Sequence, residues 1–283
     1  MNVMTKKEYL EKLNDAFSDF KFYEEDHHYE YKGKRVGISV TTFYEQYVNE
    51  FDSQGMAEKV AQKNQKIIND IFNNPLSTIE EIEYAGNLPT TVEAILAEWK
   101  YKADFACTKG STCHEYVQSL WSGEKWKPLL FDESEEYIKA VNQILKQANN
   151  FCEDYQDKLE HLADEFVIGS EEYDIASAID HIFINELTGG LVLVDYKTNI
   201  DIYKSDRYAK KMKVPLSHLK DTVLNHYAIQ LSIYKYIVEK YTDLKFEEMF
   251  IVWFSEKNDN YKIVEVPYLK DEVETILEWR KWE

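Results

Sequence analysis

The chain has 283 residues, 44 % of them hydrophobic and 14 % aromatic, so it can bury a sizeable core and is not a disordered polymer. Its 33 basic and 52 acidic residues give a net charge of −19, which excludes a surface that is basic throughout. Any phosphate-binding region must therefore be local.

Three cysteines, Cys107, Cys113 and Cys152, with no Cys-x-x-Cys pair, fit a reducing compartment. They give no sign of a disulfide framework, a structural zinc site or an iron–sulfur cluster. Residues 1–10 are polar, and no apolar run approaches the ~20 residues that span a bilayer. The expectation is a cytoplasmic protein without a membrane partner, in the host cytoplasm if phage-encoded.

Taken in order, residues 5–17 read as a short helix. Two strand-like runs follow at 20–23 and 28–31, then the turn Lys32-Gly33-Lys34 and a third run at 35–40. Thr41 or Thr42 is placed to cap a helix carrying Phe43, Tyr44 and Tyr47. Residues 54–73 read as helix, stopped by Asn73-Asn74-Pro75. A helix at 91–106 is expected to break at Lys109-Gly110, with Ser111 or Thr112 capping another that carries His114.

A long helix is expected at 133–159. Strands then follow at 165–168, 173–185 and 191–196, with Gly189-Gly190 turning the last two into a hairpin. A helix at 221–240, strands at 249–255 and 261–266 and a helix at 270–282 complete the chain. The expected fold is α/β (α+β), with a mixed sheet flanked by helices. One domain over 1–283 is expected, 1–100 being a mainly helical extension and 101–283 the core.

The chemistry concentrates around that hairpin. Asp195 and Lys197 share one face of their strand while Tyr196 points to the other, and the turn brings Asp180 beside Asp195. Two carboxylates near a strand end make a poor core and a good Mg²⁺ site. The Tyr196 carbonyl would add an oxygen, His114 an imidazole nitrogen acceptable to Mn²⁺, and Glu165 a further carboxylate. Lys197, while protonated, cannot be a ligand; it would orient water and stabilise charge on a phosphate. Lys204, Arg207, Lys210, Lys211 and Lys213 form a basic run offset only by Asp206, beginning soon after Lys197. They are the candidate DNA-binding residues.

These motifs resemble, in order, those of the PD-(D/E)XK nuclease superfamily, in its RecB-type and phage exonuclease branch. Gly110-Ser111-Thr112-Cys113-His114-Glu115 is similar to its Gly-Thr/Ser-x-x-His-Glu segment. Ser177-Ala178-Ile179-Asp180 loosely matches its Gly-x-x-Asp strand, with Ser177 replacing the glycine. Asp195-Tyr196-Lys197-Thr198 matches Asp-Tyr-Lys-Thr, and Gln230-Leu231-Ser232-Ile233-Tyr234 matches Gln-x-x-x-Tyr. Gln118 stands where a glutamate is often found.

The resemblance covers roughly residues 110–240. It implies a restriction-endonuclease-like core and a Mg²⁺-dependent deoxyribonuclease, with Mn²⁺ able to substitute. Asp180, Asp195 and Lys197 would be catalytic, and Gln230 and Tyr234 would lie beside them. The activity implied is an exonuclease of DNA recombination, repair or phage DNA metabolism, acting on DNA and with a single-strand annealing protein or helicase as a possible recombination partner. The alternatives are a structure-specific endonuclease or resolvase, and a non-catalytic nucleic-acid-binding module of the same fold.

Overall fold

The computed structural model describes residues 4–127, 134–203 and 209–280. They form two compact units: residues 1–49 with 109–283, and residues 50–108. The boundary therefore differs from the one expected at residue 100. The first 49 residues belong with the core because their apolar side chains, Leu13, Phe17, Val40 and Phe43 among them, join its main hydrophobic cluster.

In the larger unit, α1 (Lys6–Phe17) starts at a capping box in which Thr5 and Glu8 satisfy each other's backbone N–H groups. Strands β1 (Phe20–Tyr23), β2 (His28–Tyr31) and β3 (Lys34–Arg35) make a small antiparallel sheet. Its last turn uses Gly33 at φ +76°, a conformation glycine adopts without strain. β4 (Ile38–Ser39) leads into α2 (Val40–Glu45), whose cap is Ser39, upstream of the expected Thr41 or Thr42.

The smaller unit holds α3 (Ser53–Phe72), α4 (Ile79–Gly86) and the start of α5 (Val92–Ser122). α4 was not expected, although Thr78 and Glu81 form a capping box before it. α5 also corrects the sequence reading, since it runs through Lys109-Gly110 unbroken. An interior glycine costs about 1 kcal/mol against alanine, but here packing decides. Lys109 is buried and donates to Glu256 at 2.6 Å, and a Cβ on Gly110 would touch Thr198 Oγ1 at 3.4 Å. The glycine lets the helix lie close to the end of a strand.

The larger unit continues with α6 (Glu135–Tyr155), β5 (Leu159–Ser170), β6 (Ile175–Asn185), β7 (Leu191–Lys197), α7 (Val223–Tyr241), β8 (Phe246–Trp253), β9 (Lys262–Glu265) and α8 (Lys270–Arg280). The main sheet is mixed. β6 pairs antiparallel with β5 and β7, β7 parallel with β8, and β8 antiparallel with β9. One sheet face packs against α7, α8, α1 and α2. The other packs against α5 and α6 through Cys113, Val117, Ile144 and Phe151. β6 and β7 alternate between these two cores: Ile182 and Leu193 face one, Phe183 and Val194 the other.

One irregularity places the site. β7 leaves β6 after the pair His181–Val194, and β4 takes the same edge only at Ile175 and Ala176. Among the described residues, 177–180 of β6 therefore have no strand on that edge. Side chains fill the gap: the Ala178 N–H donates to Tyr29 Oη at 3.1 Å, and Ser177 Oγ lies 3.1 Å from Tyr234 Oη. Among the described residues no helix is long and apolar enough to cross a membrane.

Candidate metal centre

The expected hairpin forms, with Gly189 at φ +73° in its turn, and its register carries Asp180 and Asp195 to the first positions beyond the last β6–β7 pair. Strand divergence leaves two carboxylates at the mouth of the gap. Asp195 is buried at 2 % exposure and Asp180 is half-buried. Asp180 Oδ2 is buried without a hydrogen-bond partner. Asp195 Oδ2 sits 2.6 Å from Lys197 Nζ, but the hydrogen bond from that ammonium goes to Oδ1 at 2.8 Å, leaving Oδ2 without one. The Asp180 oxygen is costly to bury in that state, whereas the Asp195 oxygen is ion-paired with the ammonium.

His114 comes in from α5. Its Nε2 lies 2.8 Å from the Tyr196 carbonyl, and Nδ1 lies 3.4 Å from Asp180 Oδ2. Burial lowers its pKa against the pull of Asp180, so the ring is neutral at pH 7. A neutral ring that donates from Nε2 to the carbonyl turns the Nδ1 lone pair toward Asp180, the form a metal requires. The Tyr196 carbonyl, expected as an oxygen ligand, is thereby already a hydrogen-bond acceptor with one lone pair left.

Glu165 falls between the β5–β6 pairs Asp164–His181 and Phe166–Ile179, hence opposite Asp180. Its backbone takes φ +43°, unusual for a non-glycine residue. One ligand atom each from His114, Glu165 and Asp180 lie within 4.8 Å of one another. Asp195 is outside that threesome, held by Lys197. Glu165 is exposed as a residue, yet desolvation in this crowded group and repulsion from Asp180, Asp164 and Asp195 push its pKa up to about 7. Burial and Asp180 likewise raise Asp195, against Lys197. For Asp180 the burial penalty is outweighed by His114 and Lys197, and its pKa falls. The carboxyls are thus crowded enough to compete for protons, which a divalent ion would relieve. His114, Glu165, Asp180 and Asp195 fit such an ion by their chemistry, oxygen donors with one imidazole.

Lys197 stays protonated, because Asp195 and Asp180 raise its pKa beyond what burial takes away. Its ammonium also sits 4.8 Å above the Tyr227 ring, which Asn199 anchors by accepting from the hydroxyl at 2.6 Å. Gln230 Nε2 donates to Tyr234 Oη at 2.9 Å, and that buried hydroxyl continues to Ser177. The pair thus braces β6 beside Asp180, and its hydrogen bonds reach neither Lys197 nor Asp195.

Of the basic run, Lys204 and Arg207 lie outside the described residues. Lys210, Lys211 and Lys213 are exposed in the segment between β7 and α7, which Met212 and Leu216 pin to the core. Asn49 Nδ2 donates to the Lys211 carbonyl at 2.8 Å.

From the sequence, Tyr29 and Tyr44 are assigned only to a strand and a helix, and Tyr227 reads as a packing residue; none is expected in the site. Tyr29 closes the gap in β6; the charges of Glu165 and Asp180 act on its hydroxyl. Tyr44, from α2, is within electrostatic reach of Lys197 and Asp195. Only Tyr227 left a signal, since it precedes Gln230 by three positions on one helix face. No protein-family model matches the chain, and no curated protein matches it.

Proposed function

We propose that the chain is a divalent-metal-dependent deoxyribonuclease with a restriction-endonuclease-like core, acting as an exonuclease in DNA recombination, repair or phage DNA metabolism. The observation that carries this reading is the pair of carboxylates at the gap in β6, with an unpartnered buried oxygen on Asp180, a neutral imidazole and a fixed ammonium around them. The reading also draws on the resemblance of the four motifs, which converge on this gap. Ser177, where the family pattern has glycine, is absorbed by its contact with Tyr234.

The reaction is hydrolysis of a phosphodiester. A water oxygen bonds to phosphorus, the bond to the 3′ oxygen breaks, and the proton from the water ends on that oxygen. The products are a 5′-phosphate and a 3′-hydroxyl. His114, Glu165, Asp180 and Asp195 would hold a divalent ion, which would supply positive charge beside the phosphate and lower the pKa of bound water. Lys197 supplies a fixed positive charge where negative charge grows on the phosphoryl oxygens, held by Asp195 and the Tyr227 ring. Lys210, Lys211 and Lys213 offer phosphate contacts on an otherwise acidic protein.

The test is digestion of end-labelled linear duplex, single-stranded and covalently closed circular DNA, with Mg²⁺, with Mn²⁺ and with chelator. Metal-dependent loss of linear DNA with the closed circle intact is expected. Binding without cleavage overturns catalysis in favour of a nucleic-acid-binding module, and cutting of the circle overturns the exonuclease in favour of an endonuclease.

A further inference from the structure

On the opposite face of the β5–β6 pair lies a second group of metal-type ligands. Asp164 and His181 are directly paired across the two strands. His161, three residues before Asp164, would point to the other face of a regular strand. The register shift between His161 and Ala163 makes Leu162 an extra residue, and this bulge returns His161 to the same face. A bulge interrupts ladder hydrogen bonds, so a feature that gathers these three side chains comes at the expense of pairing.

The geometry is tight. His161 Nε2 lies 2.7 Å and His181 Nδ1 2.5 Å from the same oxygen, Asp164 Oδ1. His181 is 2 % exposed, and its Nδ1 makes no hydrogen bond despite that closeness. Its ring is clamped by Phe183, stacked at 5.8 Å, and by Tyr196 at 4.6 Å. One carboxylate oxygen can accept from two imidazoles, but the buried Nδ1 of His181 lacks hydrogen-bond geometry among the described residues, and one ligand atom from each of the three side chains lies within 4.8 Å of the others. This arrangement is well explained if both nitrogens and the oxygen direct lone pairs at one cation.

We infer that His161, Asp164 and His181 form a second metal site, for a divalent transition ion of the zinc type, which ties the β5 bulge to β6. Two imidazoles and one carboxylate suit Zn²⁺ or Co²⁺, whereas Mg²⁺ prefers oxygen alone. The site needs no cysteine, which is why the lack of Cys-x-x-Cys pairs concealed it. Its role is structural: Asp164 precedes Glu165 and His181 follows Asp180, so the ion would fix the strands that present those acids. The inference does not depend on nuclease activity.

The experiment is titration of the chelator-stripped full chain with Zn²⁺ by calorimetry and with Co²⁺ by visible absorption. In an Asp180→Asn/Asp195→Asn variant, which disables the acidic site, one equivalent of Zn²⁺ is expected to bind and to raise the melting temperature. Adding His161→Ala should weaken that binding at least about tenfold while leaving the circular dichroism unchanged. In the unaltered chain, His161→Ala or Asp164→Asn should reduce the bound Co²⁺ by one equivalent and remove its visible band. Zn²⁺ binding that vanishes with the acidic pair, or that survives His161→Ala at full affinity, overturns the inference.

Discussion

Asp164 and Glu165 are sequence neighbours whose acidities move in opposite directions. Strand alternation sends them to opposite faces of the sheet. For Asp164, burial is outweighed by contacts with His161 and His181, and the pKa drops to about 2. For Glu165, burial and the surrounding acids drive it up to about 7. The contrast shows what each face is built for. One face sets a single carboxylate among imidazoles against an aromatic core, and the other crowds several carboxyls together around Lys197.

The strongest way to break this comparison is to remove Asp195 or Lys197. Asp195→Ala or Lys197→Ala should lower Mg²⁺-dependent DNA hydrolysis at least about 100-fold, read by end-label release. Neither substitution should unfold the protein, read by circular dichroism. Full activity in either variant would sink the assignment of the catalytic group.

The opposite face should behave like a core. Phe183 is fully buried between Trp121 and His181, so Phe183→Ala should destabilise the fold by about 3–5 kcal/mol. Denaturant unfolding measures this, and a loss under about 1 kcal/mol would contradict the packing described.

The two faces also separate in pH. Glu165 and Asp195 have raised pKa values when folded, so their stabilising protons are fully bound below the ordinary carboxylate range and lost as pH rises toward 7. Asp164 does the reverse, its contribution being present above the ordinary carboxylate pKa near ~4 and lost as pH falls toward 2. Melting temperatures in chelator should therefore peak near pH 4–5 and decline toward pH 8, and Mg²⁺ should recover stability at pH 8. Glu165→Gln should flatten that decline and weaken the recovery. A flat profile in the unaltered chain would show that the acids are not crowded.

The smallest effect concerns the ring beneath the ammonium. Tyr227→Leu, which removes the aromatic face over which Lys197 sits, should slow hydrolysis roughly fivefold, about 1 kcal/mol, and Tyr227→Phe less, because the ring remains. Equal rates in all three proteins would show that Asp195 alone holds the lysine.

Much of the acidic site was legible locally. The period of two in Leu191–Lys197 puts Asp195 and Lys197 on one face, Gly189 permits the turn, and the spacing of Gln230 and Tyr234 fixes one helical face. These follow from backbone geometry acting over a few residues, which a sequence displays directly. The rest needed contacts between distant parts of the chain. Tyr29 reaches the gap in β6 from a hairpin 149 positions away, and Lys109-Gly110 continues a helix because Glu256 and Thr198 pack there. The Leu162 bulge turns His161 toward His181 only because β6 supplies a register to depart from. The sequence by itself determined which side chains share a strand face. The tertiary structure decided where the strands part, and so which of those side chains are buried without a partner.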